Sequence, residues 1–447
     1  MDDLRQRAGR FARSPYALLL GGYFLLRFGA FYAVQPVGPP DTQGYLEVAS
    51  HPIFSIEFLA GGRPWTVPLL WKLLPDADTW RSKAQFLISA GSWSVLAAAV
   101  GQCVRGGRFR YVAFGAVLLF SMSTSVIQWD TIMLSESISI SLTALVLAAW
   151  LELVRAPRPR AIAALLAVSL LWVFTRDSNG VLALLLVPVA LAGVVWPGPL
   201  GRIWPAVLAS GLLAIFAASL LATGTGAAQV RREERPILHV IGGRVLVNPS
   251  ERSFFRAHGM PAPTPYAVAQ RKALAGIAAG QLPSDPRTDA FIEWSRKHGR
   301  SVLAQYLLRH PLRTIKAALI NRRRLFGGVT EGYRSPDHRK IVPEPIASVI
   351  YPPDFQSVFF WLVIGLGFAL AVARARGPSR IWAVPMAMLV LQFPHALVVY
   401  HADTLEIPRH AILVAIMTRL AVILLVLLAI EALLGRAPRT HASAPAD

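Results

Sequence analysis

The feature that most constrains this chain is a series of apolar runs, each close to the length that crosses a lipid bilayer. A hydrocarbon core about 30 Å thick requires roughly 20 apolar residues per helix. The 447 residues are 54% hydrophobic and 16% charged, with a mean hydropathy of +0.47, which is too apolar for a soluble protein of this size. We predict an all-α, polytopic membrane protein with about ten transmembrane helices. The predicted spans lie near residues 15–35, 84–104, 111–128, 131–153, 160–175, 178–196, 203–224, 355–373, 381–400 and 411–434.

The loops on one side of the predicted spans contain arginine. Five alternate loops contain it, at residues 105–110, 155–160, 197–202, 374–380 and 435–440. Cytoplasmic loops of membrane proteins carry an excess of Lys and Arg. The pattern predicts a cell-membrane protein with both termini in the cytoplasm, and with the basic N-terminus followed by an uncleaved first span. Because membrane orientation accounts for much of the net charge of +20, we predict the lipid bilayer as a partner and no nucleic acid.

Two longer segments, residues 36–83 and 225–354, fall on the predicted outer face. The predicted domains are an N-terminal transmembrane module of seven spans (1–224), a basic and mainly helical external domain (225–354), and a C-terminal module of three spans with a tail (355–447).

Smaller patterns refine these segments. Within the external domain, residues 288–310 and 312–326 predict amphipathic helices separated at Pro311. Residues 61–75 combine Trp and Leu with Arg and Lys, which is typical of a helix lying at the outer leaflet. Cys103 is the only cysteine, so no intramolecular disulfide is expected.

Ionisable residues collect at the predicted outer end of the helices. They are Asp41, Asp130, Arg176, Asp177, His401, Asp403, Glu406, Arg409 and His410, with Glu136 slightly deeper. Charges within a membrane are costly and usually mark a functional site, so a one-sided polar cavity is expected. Arg27 and Glu136 lie about 9 to 12 Å inside their spans. We expect them to pair with each other, in a structural or a catalytic role.

Four elements together resemble the membrane-embedded GT-C glycosyltransferases of lipid-linked donors. These elements are Asp41 in the first outer loop, the segment LSES at 134–137, the Arg-led span start at 175–186, and the turn Asp-x-x-Glu-x-x-Arg-His at 403–410. Within that class the chain looks most like actinobacterial arabinosyl- or mannosyltransferases and the aminoarabinose transferases of lipid A. Residues 225–354 resemble no periplasmic domain of the class.

The resemblance implies a cell-envelope enzyme that transfers a sugar, such as arabinofuranose or mannose, from a polyprenyl-phosphate donor to an extracytoplasmic glycan, lipid or protein. Such a reaction needs a carboxylate to take the proton of the acceptor hydroxyl and cations to stabilise the departing phosphate. The implied catalytic residues are Asp41 as the base, Glu136 and Asp130. The implied ligands of the donor phosphate or lipid are Arg63, Arg176, Arg409, His410 and His401. The implied sugar or acceptor contacts are Tyr45, Glu47, Asp403 and Glu406.

Each of these residues also has a structural interpretation. Asp41 follows two prolines and could cap a helix, and arginines at helix ends often only reach the lipid headgroups. No metal or other cofactor is predicted, because the sequence shows no compact set of three ligands and no phosphate-binding glycine loop.

Other functions remain open. A flippase or transporter of a lipid-linked sugar usually has charges and broken helices near the midplane, whereas the charges here lie at one end. A lipid-linked polysaccharide ligase or polymerase would share the donor and the face, and the sequence does not separate it from a transferase. A structural assembly protein is a third alternative.

Overall fold

The protein is helical wherever it has regular structure among the residues described. The computed structural model describes residues 14–434 except 33, 105, 196–200, 231–233, 263–285, 328–339, 378, 403 and 405. In that part of the chain, the β-structure is a single isolated parallel bridge between Val37 and Ile132. The predicted all-α class is confirmed.

The described α-helices, in chain order, are α1 (Pro15–Phe31), α2 (Thr42–Ser50), α3 (Ile56–Leu59), α4 (Thr66–Lys72), α5 (Asp78–Cys103), α6 (Phe109–Ser121), α7 (Thr124–Ile127), α8 (Glu136–Arg155), α9 (Pro159–Val173), α10 (Asp177–Val195), α11 (Ile203–Val230), α12 (Glu234–Val240), α13 (Pro249–Ala257), α14 (Pro286–Trp294), α15 (Arg300–Arg309), α16 (Pro311–Ile320), α17 (Arg322–Phe326), α18 (Glu344–Ile350), α19 (Phe355–Arg376), α20 (Ala383–Ala402), α21 (Ile407–His410) and α22 (Ile412–Leu434).

Six of the described helices are long and apolar enough to cross a membrane: α5, α8, α11, α19, α20 with the turn before it, and α22. A seventh candidate is α6 joined to residues 124–131, with a bend of 59° between the two parts. The helices α1, α9 and α10 are apolar but shorter. The chain is therefore a multi-pass membrane protein, while the predicted count of ten spans is not confirmed. The predicted spans without a full-length helix are those of α1, α9 and α10, and the predicted span at 111–128 is divided by the bend.

Helix α22 lies at the centre of the bundle. Its most apolar window is 94% buried, compared with 22% for the corresponding windows of α11 and α19, which lie at the periphery. A helix that is apolar on every side and enclosed by other helices belongs to a core. The short helix α21 directly precedes α22, so its side chains are held near the centre of one end of the bundle.

The predicted amphipathic helices of the segment 225–354 are present. Helix α14, a π-helical turn (Ser295–Gly299) and α15 run continuously to Arg309, and α16 begins at Pro311. Proline suits the first turn of a helix because a backbone N–H at that position would have no hydrogen-bond partner within the helix. The second predicted helix is divided at Asn321 into α16 and α17. Apolar side chains of α12 to α15 form a small separate core that includes Phe255, Trp294 and Tyr306.

A buried arginine of α22 joins this segment to the bundle. The guanidinium of Arg419 donates to the carbonyls of Phe326, Gly327 and Pro352 at 2.6 to 3.3 Å, and it lies 4.3 Å from the ring centre of Tyr351. These bonds satisfy backbone acceptors at the end of α17 and just before α19. Arg419 therefore holds α17 beside α19.

A second connection uses His401, which the resemblance suggested as a phosphate ligand. Arg244 donates from Nη1 to His401 Nδ1 at 2.7 Å, and His401 Nε2 lies 3.1 Å from the carbonyl oxygen of Thr314. Because a guanidinium has no acceptor, Nδ1 of His401 accepts and Nε2 donates. His401 thus connects the end of α20 to α16 and to the π-helical turn that contains Arg244, and both of its ring nitrogens are engaged.

Candidate active site

One arginine of α21 lies at the centre of the candidate site. Arg409 donates from Nε to Glu136 Oε1 at 2.7 Å and from Nη2 to Asp41 Oδ2 at 2.8 Å. Its Nη1 donates to Glu406 Oε2 at 2.6 Å. Each nitrogen of one guanidinium therefore contacts a different carboxylate, and two of the three come from distant parts of the sequence.

Two further arginines extend this arrangement. Arg63 donates from Nη2 to Asp41 Oδ1 at 2.7 Å on the solvent side. Arg176 Nη1 lies 3.4 Å from Glu136 Oε1 on the buried side, and Arg176 Nη2 donates to Nδ1 of His410 at 3.2 Å. We call the whole set the charge network. Its members are Asp41, Arg63, Glu136, Arg176, Glu406, Arg409 and His410.

The network is graded from the interior to the surface. The side chain of Glu136 is fully buried and that of Arg409 is 6% exposed, whereas Asp41 is 37% and Glu406 is 40% exposed. Oε2 of Glu136 is buried without a hydrogen-bond partner among the described residues. A buried carboxylate is stable only when positive charge and donors surround it. The two buried arginines serve Glu136 in this way.

Backbone contacts bring Asp41 close to Glu136. Val37 N donates to Thr131 O at 2.8 Å, and Met133 N donates to Val37 O at 2.8 Å, which forms the parallel bridge. Thr42 Oγ1 adds a bond to the carbonyl of Met133 at 2.8 Å. The loop between α1 and α2 is thus fixed against the chain just before α8. Asp41 occupies the N-cap position of α2 but makes no capping hydrogen bond, so its carboxylate is directed to the arginines instead.

The turn before α21 contains the one non-glycine residue with a positive φ in the described chain. Glu406 has φ 50° and ψ 30°, a left-handed conformation that costs roughly 1 kcal/mol for an L-residue. Its carbonyl accepts hydrogen bonds from the backbone N–H groups of Arg409 and His410 at 2.8 and 3.1 Å. This strained turn aims the Glu406 carboxylate at Arg409.

Two residues that the sequence analysis did not select position the arginines. Asn179 Nδ2 donates to Ser139 Oγ, Thr175 Oγ1 and the Trp172 carbonyl at 2.8 to 2.9 Å, which joins α8, α9 and α10 beside Arg176. The available signal for it was its place in the polar stretch that opens the apolar run of α10. Gly44 leaves room for Arg63, because a Cβ there would lie 2.9 Å from Arg63 Nε.

The arginines control the ionisation of Asp41. Burial alone would raise the pKa of its carboxyl group, but the positive charges of Arg63 and Arg409 outweigh this effect and lower the pKa to about 2. The pKa of Arg409 is raised against the effect of burial, chiefly by Glu136 and Asp41. The Asp41 carboxylate is therefore ionised at neutral pH.

Asp130 lies outside the network, and the expected pair of Arg27 with Glu136 is wrong. Arg27 Nη2 contacts Asp130 Oδ2 at 2.6 Å, and Ser137 Oγ donates to Asp130 Oδ1 at 2.8 Å. Helical rise gives the depth of a charge in a span but not the direction in which it points. Arg27 faces α5 and the bend near Asp130, whereas Glu136 faces Arg409.

The remaining predicted contacts have different surroundings. Tyr45 is buried beneath Arg63, whose guanidinium carbon lies 5.1 Å from the ring centre, so the ring supports that arginine instead of presenting an open stacking face. Glu47 is exposed on the opposite side of α2. Asp403 lies outside the described residues.

The segment at 61–75, which its composition predicted to lie at the outer leaflet, packs several of its side chains into the protein. Val67 and Trp71 of α4 are buried, and Thr66 N donates to the Phe174 carbonyl at 3.0 Å. The aromatic residues therefore face the end of α9 and α2, and this packing carries Arg63 to the network.

Among the described residues, no group of three His, Cys, Asp or Glu side chains is arranged to hold a metal ion.

An apolar cavity of about 360 Å³ lies among α8 to α11, α20 and α22. At one end it is lined by Trp172, Leu182 and Leu413. Leu413 is about one helical turn from Arg409, and Leu182 is less than two turns from Arg176. At the other end the lining includes Pro157 and Arg380. The cavity therefore runs along the helices from just below the charge network towards the opposite end of the bundle.

Comparisons with known proteins give a structural likeness but no family. No family model matches the sequence, and no curated protein is similar to it at a significant level. The fold is similar to that of the archaeal oligosaccharyltransferase AglB from Archaeoglobus fulgidus, solved in complex with an inhibitory peptide and a dolichol-phosphate, with a TM-score of 0.48 and 12% sequence identity. The match covers 92% of this chain and 50% of that protein, so the chain spans about half its length. A likeness at this level establishes neither a family nor an activity for this chain.

Proposed function

We propose that this protein is a membrane glycosyltransferase that moves a sugar from a polyprenyl-phosphate donor to an acceptor in the cell envelope, with the charge network as its active site. The observation that carries the proposal is the convergence of three arginines and three carboxylates from separate segments at one end of an apolar helix bundle. A structural ion pair needs no such number of partners. Arginines beside an exposed carboxylate provide both requirements of the reaction, a phosphate ligand and a base.

Arg63 and Arg409 are suited to bind the donor phosphate. Both hold the same carboxylate, Asp41, through one nitrogen each, and the Asp41 side chain is 37% exposed. Arginine binds phosphate oxygens in the same paired geometry that it uses for carboxylates. A phosphate that contacts Arg63 therefore competes directly with Asp41 for that guanidinium. The buried Glu136, which also contacts Arg176, holds Arg409 in place during the exchange.

This exchange would convert Asp41 from an ion-pair partner into a base. With both arginines in contact, the pKa of Asp41 is about 2, so its carboxylate binds a proton weakly. Loss of Arg63 to the phosphate, together with the negative charge of the phosphate itself, raises the pKa of Asp41. The donor thus activates the base only after it has bound.

In the proposed step, an acceptor hydroxyl attacks the anomeric carbon of the donor sugar. The new carbon–oxygen bond forms while the bond from the anomeric carbon to the phosphate oxygen breaks, and the phosphate leaves with the electron pair. Asp41 takes the proton of the hydroxyl. Arg63 and Arg409 stabilise the charge on the polyprenyl phosphate as it leaves. A pentose such as arabinofuranose and a hexose such as mannose would require the same groups.

The apolar cavity supports a lipid-linked donor. Its walls are mainly apolar, and it begins about one helical turn from Arg409. An isoprenoid chain attached to a phosphate at the network can extend into this cavity and bury its surface there. A water-soluble nucleotide-sugar donor has no long apolar chain that could occupy this cavity.

The first experiment measures sugar transfer from synthetic decaprenyl-phosphate donors to membrane glycans by the purified protein and by Asp41→Asn. The amide keeps the shape of the side chain but cannot accept a proton, so we expect the transfer rate to fall roughly 10²- to 10⁴-fold while donor binding remains. The matched control is Asp76→Asn, at another carboxylate that pairs with an arginine, Arg81, but is 95% exposed and outside the network.

Three outcomes would contradict the proposal. Full activity in Asp41→Asn would require a different base. A wild-type protein that transfers no sugar but moves labelled lipid between leaflets would be a flippase. A product extended by a whole lipid-linked polysaccharide in place of a single sugar would identify a ligase or polymerase.

A further inference from the structure

The three consecutive arginines of α17 lie on the surface at the start of α19, and the charge network uses none of them. Arg322, Arg323 and Arg324 are all exposed. Arg322 and Arg323 line a cavity of about 480 Å³ together with aromatic residues of α19, and Arg323 and Arg324 line an adjoining cavity of about 280 Å³ that reaches Pro408. Because Arg323 belongs to both cavities, they form one groove along the triplet.

The groove adjoins an apolar surface of a membrane-spanning helix. On α19, Phe359, Phe360, Val363 and Ile364 are each more than half exposed. Their spacing places them on one face of the helix, and Phe359 and Phe360 line the groove itself. This face is continuous with the span, so lipid chains are the natural cover for it.

The helix before the triplet has the character of a membrane-surface helix. Leu312, Ile315 and Leu319 of α16 are exposed on one side, with Lys316 among them. A helix that presents leucine and isoleucine beside cations typically lies at the boundary between headgroups and acyl chains. Since α16 leads directly into α17, the arginine triplet lies at the same boundary.

Little negative charge faces the triplet. Among the described residues, no carboxylate lies within salt-bridge distance of Arg322, Arg323 or Arg324, and Asp354 is the one acidic residue that lines the groove. The Asp354 carboxylate is occupied as the cap of α19, where it accepts from Ser357 N and Ser357 Oγ at 3.0 and 2.8 Å. Three adjacent positive charges therefore remain available for an anion.

We propose that the groove binds the phosphate headgroup of an anionic phospholipid of the bilayer. The arginines of α17 contact the phosphate, and the acyl chains lie against the exposed face of α19. Arg322, whose guanidinium carbon lies 5.1 Å from the ring centre of Phe355, links the polar and apolar parts of the groove. This site is separate from the proposed sugar transfer, and its test does not depend on that activity.

The experiment counts phosphatidylglycerol and phosphatidylcholine bound to the purified full-length protein by native mass spectrometry. The test variant is R322Q/R323Q/R324Q, and the matched control is R309Q/R313Q/K316Q, which removes three exposed cations of the same segment that do not line the groove. We expect phosphatidylglycerol binding to fall at least about tenfold in the test variant and less than about twofold in the control. Unchanged thermal midpoints of both variants establish that they are folded.

Several results would overturn the proposal. Equal losses in both variants would indicate general attraction by a basic surface, and equal binding of the two phospholipids by the wild type would indicate no headgroup recognition. Displacement of phosphatidylglycerol by inorganic phosphate would indicate a site for a free anion. Displacement by an equimolar amount of decaprenyl phosphate would assign the groove to the carrier lipid instead.

Discussion

Two arginine–carboxylate sites lie at the same end of the helix bundle and use the same residue types. In the first, Arg27 and Asp130 contact each other at 2.6 Å, with side-chain exposures of 1% and 3%. In the second, the charge network, exposure rises from zero at Glu136 to 40% at Glu406. The first site, which we call the closed site, is almost completely buried. The second, the open site, is partly exposed to solvent.

The partners of the two arginines differ accordingly. Arg27 has one carboxylate, Asp130, and donates its other bonds to the hydroxyl groups of Ser89 and Tyr23. Arg409 has three carboxylates and shares two of them with other arginines. A one-to-one buried pair can only be kept or broken, whereas a shared and partly exposed pair can exchange partners with an incoming anion. The comparison suggests that the closed site stabilises the fold and the open site binds a ligand.

The largest effect is expected at the closed site. Asp130→Asn leaves the buried Arg27 without a negative partner, which should destabilise the protein by about 3 to 5 kcal/mol. Transfer activity per folded molecule should be retained. Thermal or denaturant unfolding in detergent, combined with the transfer assay, measures both quantities.

A double variant sharpens this result. Arg27→Met combined with Asp130→Leu removes both charges and keeps an apolar volume, so it should be more stable than Asp130→Asn alone. If the double variant is folded but inactive, the closed pair contributes to catalysis, and the division between the two sites fails.

An intermediate effect is expected where Gly44 meets Arg63. In Gly44→Ala the new methyl group would lie 2.9 Å from Arg63 Nε, so Arg63 must move away from Asp41. We expect the KM for the donor to rise about threefold to tenfold, equivalent to the loss of part of one charge-assisted hydrogen bond. Alanine within α2 should itself leave stability unchanged or raise it by up to about 1 kcal/mol.

Gly91→Ala in α5 is the matched control, because nothing lies within 4 Å of a Cβ at that position. The control should show any gain in stability without the change in KM. Equal KM values for both variants would mean that the position of Arg63 does not govern donor binding.

The smallest effect concerns pH at the open site. The pKa of Asp41 in the folded protein is about 2, below its ordinary value of 3.8, so its stabilising contribution is complete above the ordinary value and is lost only as the pH falls through about 2. The difference in thermal midpoint between wild type and Asp41→Asn should therefore stay constant between about pH 7.5 and about pH 5. A difference that shrinks within this range would show that Arg63 and Arg409 do not hold the carboxylate.

Much of the candidate site was predictable because the sequence places its charges at span ends. Asp41, Arg176, Glu406 and Arg409 follow or precede apolar runs whose alternation puts all of them at one end. That inference needs only the length of the runs and the cost of charge in lipid. The contacts at Arg409 agree with the expected convergence, while the catalytic and binding roles of these residues and the three-domain division stay predictions.

The pairing of these charges was not predictable. The sequence suggested that Arg27 pairs with Glu136, and this expectation is wrong, because Arg27 contacts Asp130 and Glu136 contacts Arg409. The sequence also placed residues 61–75 at the outer leaflet, which stays a prediction, but it did not show that Trp71 is buried within the protein. Pairing depends on the rotation of each helix about its axis, which is determined by packing against several neighbours at once. The burial of Trp71 likewise depends on whether another helix covers it. Helix α2 does so, through the ring of Tyr45.

The sequence by itself determined that this protein is an all-α, multi-pass membrane protein with acidic and basic residues gathered at one end of its helices, since hydrophobicity and charge act on each segment independently of the others. Only the tertiary structure decided that Arg409 contacts three carboxylates, whereas Arg27 and Asp130 form a buried one-to-one ion pair. The physical reason is that an ion pair forms between side chains only a few ångströms apart, and such distances follow from how all the helices pack.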